Sequence, residues 1–346
     1  MAYVTIQFNM SELRQNIATK EWVIIATERA QRPEDFGDGQ KVHSAIEKEA
    51  CPFCCGHENR TPPEITSFRS YGTSPDTPGW WVRVVPNQFA ALKNEGNVER
   101  HKIEDFFVMM PGFGEHEVVI ESPEHDQSIA TMEQKQVEEI FLAYLKRHQA
   151  LSQDKRHEMV IVFKNHGSQA GTSLHHPHSQ IIATPVTPNY IRHRIEEAMR
   201  YFDDNGHCVY CEMIAKELSA KERLVLESAN FVVFEPFASR SPFETWVIPK
   251  FHASNFSSLS EEQTKELAFV VRQALNKLYV ALRNPDYNYM IYTAPSHEQD
   301  LEYYHWYIKI LPRVSSMAGF ELGSGIFINT VIPESAAKFL RETPSE

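Results

Sequence analysis

Residues 163–181 read F-K-N-H-G-S-Q-A-G-T-S-L-H-H-P-H-S-Q-I and hold the densest chemistry in this 346-residue chain. A neutral imidazole is a competent nitrogen nucleophile near pH 7, and its attack on phosphorus gives a reactive phosphoramidate. His178 suits that step. Ahead of it, Gly167, Gly171, Thr172 and Ser173 offer backbone N–H and hydroxyl donors of the kind that hold phosphate oxygens. If the piece is extended, alternation turns His176, His178 and Gln180 to one face, so that one histidine serves a metal and the next meets substrate. A lone H-x-H reads as a core or metal pair; the glycine-rich loop and Gln180 move the reading to a nucleophile.

The second source of chemistry is sulfur. All five cysteines (Cys51, Cys54, Cys55, Cys208 and Cys211) fall in C-x-x-C clusters, and none is scattered as a packing residue would be. In a reducing compartment such thiols are metal ligands or redox groups. Each cluster is followed by two distant histidines, and two thiolates with two neutral imidazoles complete a closed tetrahedral zinc site. The first set is Cys51, Cys54, His125 and His176; the second is Cys208, Cys211, His252 and His305, with His207 and His297 as competing ligands. Two Zn2+ per subunit are expected. Four protein ligands leave no open position for substrate, so both are structural.

Two amphipathic helices must position these groups. Residues 131–153 place Val137, Ile140, Phe141, Tyr144 and Leu145 on one face, and residues 260–282 do the same with Leu267, Val270, Val271, Leu275 and Leu278. Ser260 with Gln263 fits a capping box. Runs at 81–85, 117–120, 159–163, 180–182, 231–234, 245–248, 289–292 and 306–311 are β-branched or aromatic and bounded by turn residues, and read as strands. The fold class is therefore α+β with mostly antiparallel sheet. The order of features repeats: C-x-x-C, strand, strand with histidine, helix, strand, histidine. His125 and His176 are 51 positions apart, His252 and His305 are 53 apart, and so close a match argues for duplication. The expected division is 1–190, with the nucleophile and first metal site, and 191–346, with the second metal site.

Composition narrows the partners. Lys and Arg number 34 against 46 Asp and Glu, a net charge of −12, so a phosphate-bearing ligand must meet a local site and nucleic acid is disfavoured as a partner. No run approaches the roughly 18 apolar residues of a membrane span, and the N-terminus lacks a secretory pattern. A cytoplasmic protein without a membrane partner is expected.

Taken in chain order, W-V-I-I-A-T-E-R-A-Q-R-P (22–33), C-P-F-C (51–54), V-V-P-N-Q-F-A-A-L (84–92), E-S-P-E-H (121–125), H-P-H-S-Q (176–180) and G-F-E-L-G-S-G (319–325) carry a resemblance over nearly the whole sequence. The chain resembles the histidine-triad superfamily, and within it the galactose-1-phosphate uridylyltransferase family. Related hydrolases have a third histidine where this chain has Gln180. An amide donates hydrogen bonds but is no general acid, which suits a sugar phosphate leaving group already stable as an anion.

The resemblance implies a duplicated histidine-triad-like fold and a homodimer. It implies His178 as nucleophile, Gln180 on the phosphoryl oxygens, and Asn165, Gly171 and Ser173 around the phosphates. It also implies Arg32, Asn87, Gln88 and Phe89 around the nucleotide, with Arg32 reaching in from the other subunit, and Phe320 and Glu321 on the sugar. The expected substrates are a nucleotide sugar and a hexose 1-phosphate. The leading expectation is transfer of UMP between UDP-glucose and galactose 1-phosphate through a uridylyl-histidine. Gln88, Phe320 and Tyr307 depart from the pattern, standing where Asp, Tyr and a second histidine are expected. The paired C-x-x-C clusters resemble a two-zinc branch that includes ADP-glucose phosphorylase, which makes that activity the alternative. A non-catalytic zinc-stabilised nucleotide-binding module is the reading from another class.

Overall fold

A computed structural model describes residues 10–26, 45–298 and 300–345. Ten strands form one antiparallel sheet: β1 (Thr66–Arg69), β2 (Trp80–Pro86), β3 (Glu115–Ile120), β4 (Met159–His166), β5 (His178–Thr184), β6 (Leu224–Glu227), β7 (Phe231–Phe234), β8 (Thr245–Pro249), β9 (Tyr287–Tyr292) and β10 (Tyr307–Pro312). Their order across the sheet is β1-β2-β3-β5-β4-β9-β10-β8-β7-β6, so the second five strands repeat the first five in mirror sequence. The two halves meet where β4 pairs with β9, Phe163 opposite Met290.

Helices α1 (Gln134–Leu151) and α4 (Glu261–Ala281) pack side by side on one face of the sheet. Both bury the stripes expected from periodicity, and Ser260 and Gln263 form the reciprocal capping box, with Ser260 Oγ accepting from the Gln263 N–H at 3.2 Å. Against them lie alternate strand residues such as Val84, Val119, Val162, Ile181, Tyr289, Ile308 and Val247, in one apolar core spanning both halves.

The opposite face is treated differently in the two halves. Over β7 to β10, α2 (Asn189–Asn205) and α3 (Val209–Ala220) bury Phe234, Trp246, Ile248 and Tyr307 beneath Ile191, Ile195, Tyr210 and Ile214. Over β2, β3 and β5 the equivalent cluster is only Trp80, Val85, Val118 and Ile120 with Phe53, and the strands there border a cavity. Residues 10–26 lie against the second half: Trp22–Ile25 pairs in parallel with Phe327–Asn329, and Arg14 bonds Glu334 at 3.0 Å. Among the described residues no helix is long and apolar enough to cross a membrane.

Candidate active site

The strand β5 begins at His178, two residues earlier than the sequence pattern places it. His176 therefore stands before the strand, beyond Pro177, and its ring joins the cysteine cluster while His178 lines the cavity. His178 Nδ1 lies 2.8 Å from the His176 carbonyl oxygen. A carbonyl only accepts, so Nδ1 carries the proton and Nε2 keeps its lone pair. Burial pushes this imidazole below its ordinary range, and the nearby Lys164 ammonium acts in the same direction, so the ring is neutral at pH 7.

Gln180 follows on the same face, half-buried, and the two residues share a cavity of about 440 Å³. Asn87, Gln88, Phe89 and Ser173 border the same space. Six sequence-predicted residues thus converge. Asn87 sits where the chain leaves β2, and its Oδ1 accepts from the Phe89 N–H at 2.8 Å, which fixes the turn at the cavity edge. Gln88 and Phe89 are exposed at the rim. Asn165, near the end of β4, accepts from Asn288 Nδ2 at 2.7 Å, and Gly171 takes a left-handed φ of 84° that ends the short turn Ser168–Ala170.

Phe320 and Glu321 lie elsewhere. They line a second cavity of about 670 Å³ with Tyr190, Arg240, Lys309 and Arg313, and the two cavities share no lining residue. The Glu321 carboxylate accepts from the Ala318 N–H at 3.0 Å. Arg32 lies outside the described residues.

Three elements of the site escape sequence reasoning. His116, buried on β3, contacts Gln180 Oε1 at 2.7 Å. Lys164 on β4 donates to the His178 carbonyl oxygen at 3.1 Å and pairs with buried Glu121. Asp286, from the second half, accepts the Gln169 N–H at 2.7 Å and so holds the loop ahead of His178. Alternation marks the first two only as strand residues, and nothing in the spacing links Asp286 to residue 169.

Two groups of four donors stand ready for metal: Cys51, Cys54, His125 and His176, all buried, and Cys208, Cys211, His252 and His305, in which Cys211 is half-buried and His252 exposed. Cys54 Sγ lies 3.4 Å from His125 Nδ1 and 3.6 Å from His176 Nδ1; Cys211 Sγ lies 3.3 and 3.7 Å from the Nδ1 atoms of His252 and His305. A tetrahedral zinc with ordinary bond lengths needs about 3.6 Å between sulfur and nitrogen ligands. The tautomers agree. His176 Nε2 donates to the Ser122 carbonyl at 2.7 Å, and His252 and His305 Nε2 donate to the Leu301 and Pro249 carbonyls at 3.0 Å, leaving each Nδ1 lone pair for an ion. His207 is held by Glu212 at 2.7 Å, and His297 is exposed; neither joins the second group. Phe53, between the first two cysteines, packs its ring against both His176 and His178, tying the cysteine loop to His178.

Comparison with known proteins agrees with this geometry. The family model described as galactose-1-phosphate uridyl transferase, N-terminal domain, matches residues 3–188, and one for a domain of unknown function (DUF4921) matches residues 114–342. The chain is 37% identical to ADP-glucose phosphorylase of Arabidopsis thaliana, over 98% of this chain and 94% of that protein. It is 30% identical to galactose-1-phosphate uridylyltransferase of Thermotoga maritima, over 97% of this chain and all of that one. The crystal structure of an A. thaliana ADP-glucose phosphorylase with bound ADP-glucose superimposes with a TM-score of 0.81 at 34% identity, covering 97% of this chain and 99% of that chain. With a family likeness running from end to end, the chain is an enzyme of the galactose-1-phosphate uridylyltransferase family.

Proposed function

We propose that this protein moves a nucleoside monophosphate from a nucleoside diphosphate hexose to a phosphate acceptor through a covalent nucleotidyl-His178. The observation that carries this reading is the His178 tautomer: Nδ1–H is committed to the His176 carbonyl, and Nε2 belongs to a ring that lines the cavity. Nε2 attacks the α-phosphorus, a P–N bond forms, the bond to the bridging oxygen breaks, and hexose 1-phosphate leaves as an anion. Positive charge developing on the ring is held by the His176 carbonyl, and Gln180 donates to the phosphoryl oxygens. In the second step an oxygen of the acceptor attacks the same phosphorus, the P–N bond breaks, and neutral His178 returns.

ADP-glucose as donor and inorganic phosphate as acceptor are favoured. Identity to the phosphorylase is 37% against 30% for the uridylyltransferase, and the neighbouring structure holds ADP-glucose. Gln88 at the rim supports a nucleotide preference of its own, since an amide donates as well as accepts. Exchange of UMP between UDP-glucose and galactose 1-phosphate is the second reading, supported by the full-length similarity to the T. maritima protein. Two zinc ions, one in each Cys₂His₂ group, would brace the nucleophile loop and the second half. Because Phe320 and Glu321 line a separate cavity, we assign their sugar contacts to a homodimer in which one subunit presents them to its partner's His178.

Brief mixing with ADP-glucose or UDP-glucose alone, read by intact mass, tests the proposal. AMP attached at His178 and discharged to ADP by phosphate is the expected result, and His178→Ala should take no label. UMP discharged by galactose 1-phosphate would select the second reading. Turnover without any adduct would overturn both.

A further inference from the structure

We propose that His116 is a positioning residue that fixes which end of the Gln180 amide faces the phosphoryl group. The inference rests on the nucleotidyl-transfer reading above and deepens it. Only the NH₂ end of an amide donates to a phosphoryl oxygen; the carbonyl end would repel it. A glutamine free to rotate by half a turn would present the wrong end part of the time, so something must choose.

The choice is legible in a chain of three hydrogen bonds. The Ala91 N–H points at His116 Nδ1 from 3.2 Å. A backbone N–H only donates, so Nδ1 holds a lone pair and the ring proton is on Nε2. Nε2 lies 2.7 Å from Gln180 Oε1 and donates to it. The Asn87 Oδ1 is taken by the Phe89 N–H at 2.8 Å, so its Nδ2 faces the same pair, 3.1 Å from His116 Nε2 and 3.5 Å from Gln180 Oε1. The short bond from Nε2–H goes to Gln180 Oε1, and a flipped amide would set N–H against N–H across that 2.7 Å contact. Oε1 therefore faces His116, and the NH₂ group is left for a ligand.

The fold supports the pairing. On the sheet, Val118 stands opposite Gln180 and His116 two residues along on the same face, so the imidazole reaches across to the amide. His116 is 9% exposed, and burial pushes its imidazole below the ordinary range, which keeps the single-proton form that the chain of bonds requires. In the duplicated half the corresponding positions hold Glu244 and Lys309, joined at 2.7 Å. There the same two places are locked by charge; here they are locked by a neutral donor that leaves the amide's other end free.

The test uses the full-length, metal-loaded protein. His116→Phe keeps the ring and removes the donor; His116→Gln restores an N–H near the Nε2 position. In single-turnover labelling at saturating nucleotide sugar, His116→Phe should slow adduct formation by about ten- to a hundredfold, with nucleotide-sugar affinity changed less than about threefold. His116→Gln should recover most of the rate. In a Gln180→Ala background, His116→Phe should cost less than about twofold, because the amide it orients is gone. An equal penalty in both backgrounds would reduce His116 to a packing residue and overturn the proposal, as would an unchanged labelling rate. Histidine ¹⁵N NMR separates this inference from the reaction it rests on. An Nε2–H tautomer whose proton shift moves in Gln180→Ala supports the orienting bond even if no nucleotide sugar labels the wild type. An Nδ1–H tautomer overturns it whatever the enzyme transfers.

Discussion

The ammonium group of Lys164 donates to the backbone carbonyl oxygen of His178 at 3.1 Å while pairing with the carboxylate of Glu121. Both side chains are essentially fully buried. The hydroxyls of Ser179 and Tyr144 also donate to Glu121, and Tyr289 of the second half bonds Tyr144 at 2.7 Å. A charged network thus lies behind the strand that begins at His178, and it spans the junction between β4 and β9. A buried charge pair of this kind adds little net stability, but either charge alone is costly.

Lys164→Met should accordingly destabilise the fold by about 3–5 kcal/mol, because the buried Glu121 carboxyl group would lose its charge partner. Adding Glu121→Gln should recover more than half of that loss. Urea unfolding of the two variants checks this. A single variant as stable as wild type would show that Glu121 does not need the ammonium group.

The metal groups differ in access. All four donors of the first are buried, whereas Cys211 and His252 of the second reach solvent. A chelator should strip the second group first, by roughly a tenfold difference in rate. None of its ligands lines the His178 cavity, so labelling of His178 should survive the first loss and vanish with the second. Metal content followed alongside labelling decides it; activity falling in step with the first ion would refute the ordering.

Much of this was readable in the chain before any fold was known. The stripes of α1 and α4, the eight core strands and both four-donor groups all leave local marks: period, β-branched runs, thiol spacing. What sequence cannot carry is the partner of each group across the sheet. His116 and Lys164 look like ordinary polar residues of alternating strands, yet one orients Gln180 and the other holds His178. Glu321 follows the expected motif and Phe320 departs from it, but what places both is the parallel pairing of Phe327–Asn329 with Trp22–Ile25, which anchors that segment on the second half. The covering of β7 to β10 by α2 and α3 also explains Tyr307. In the histidine-poor half, that position is filled by a ring stacked between Trp246 and Tyr292 at 4.2 and 4.9 Å.

Gly167 has φ +84°, and a Cβ there would stand 1.8 Å from Asp286 Oδ1. Gly167→Ala must therefore push aside the carboxylate that holds the Gln169 N–H and with it the loop leading to Ser173. The expected cost is about 1–3 kcal/mol of stability, with labelling slowed at least about tenfold. Asp286→Ala in the same chain should relieve the clash and recover stability but not rate. Recovery of both would mean that Asp286 only fills space.

The last prediction concerns acid. His148 on α1 is 1% exposed, its ring set edge-on to Phe256 at 5.7 Å, and burial pushes its imidazole down to about 4. In the unfolded chain the same group titrates near 6.5. Between those values the unfolded state binds a proton that the folded state refuses, so stability contributed by neutral His148 is complete above about pH 6.5 and is lost progressively as pH falls toward 4. Each unit of pH in that window is worth about 1.4 kcal/mol, hence about 2 kcal/mol between pH 7 and pH 5. The histidines of the metal groups also bind protons once the chain unfolds, so wild type alone would not isolate the effect. The difference between wild type and His148→Leu does, because the metal ligands are common to both and cancel. Urea unfolding at several pH values should show wild type losing ground to the variant by about 2 kcal/mol from pH 7 to pH 5. Curves that stay parallel across that interval would mean that the folded protein protonates His148 as readily as the unfolded chain.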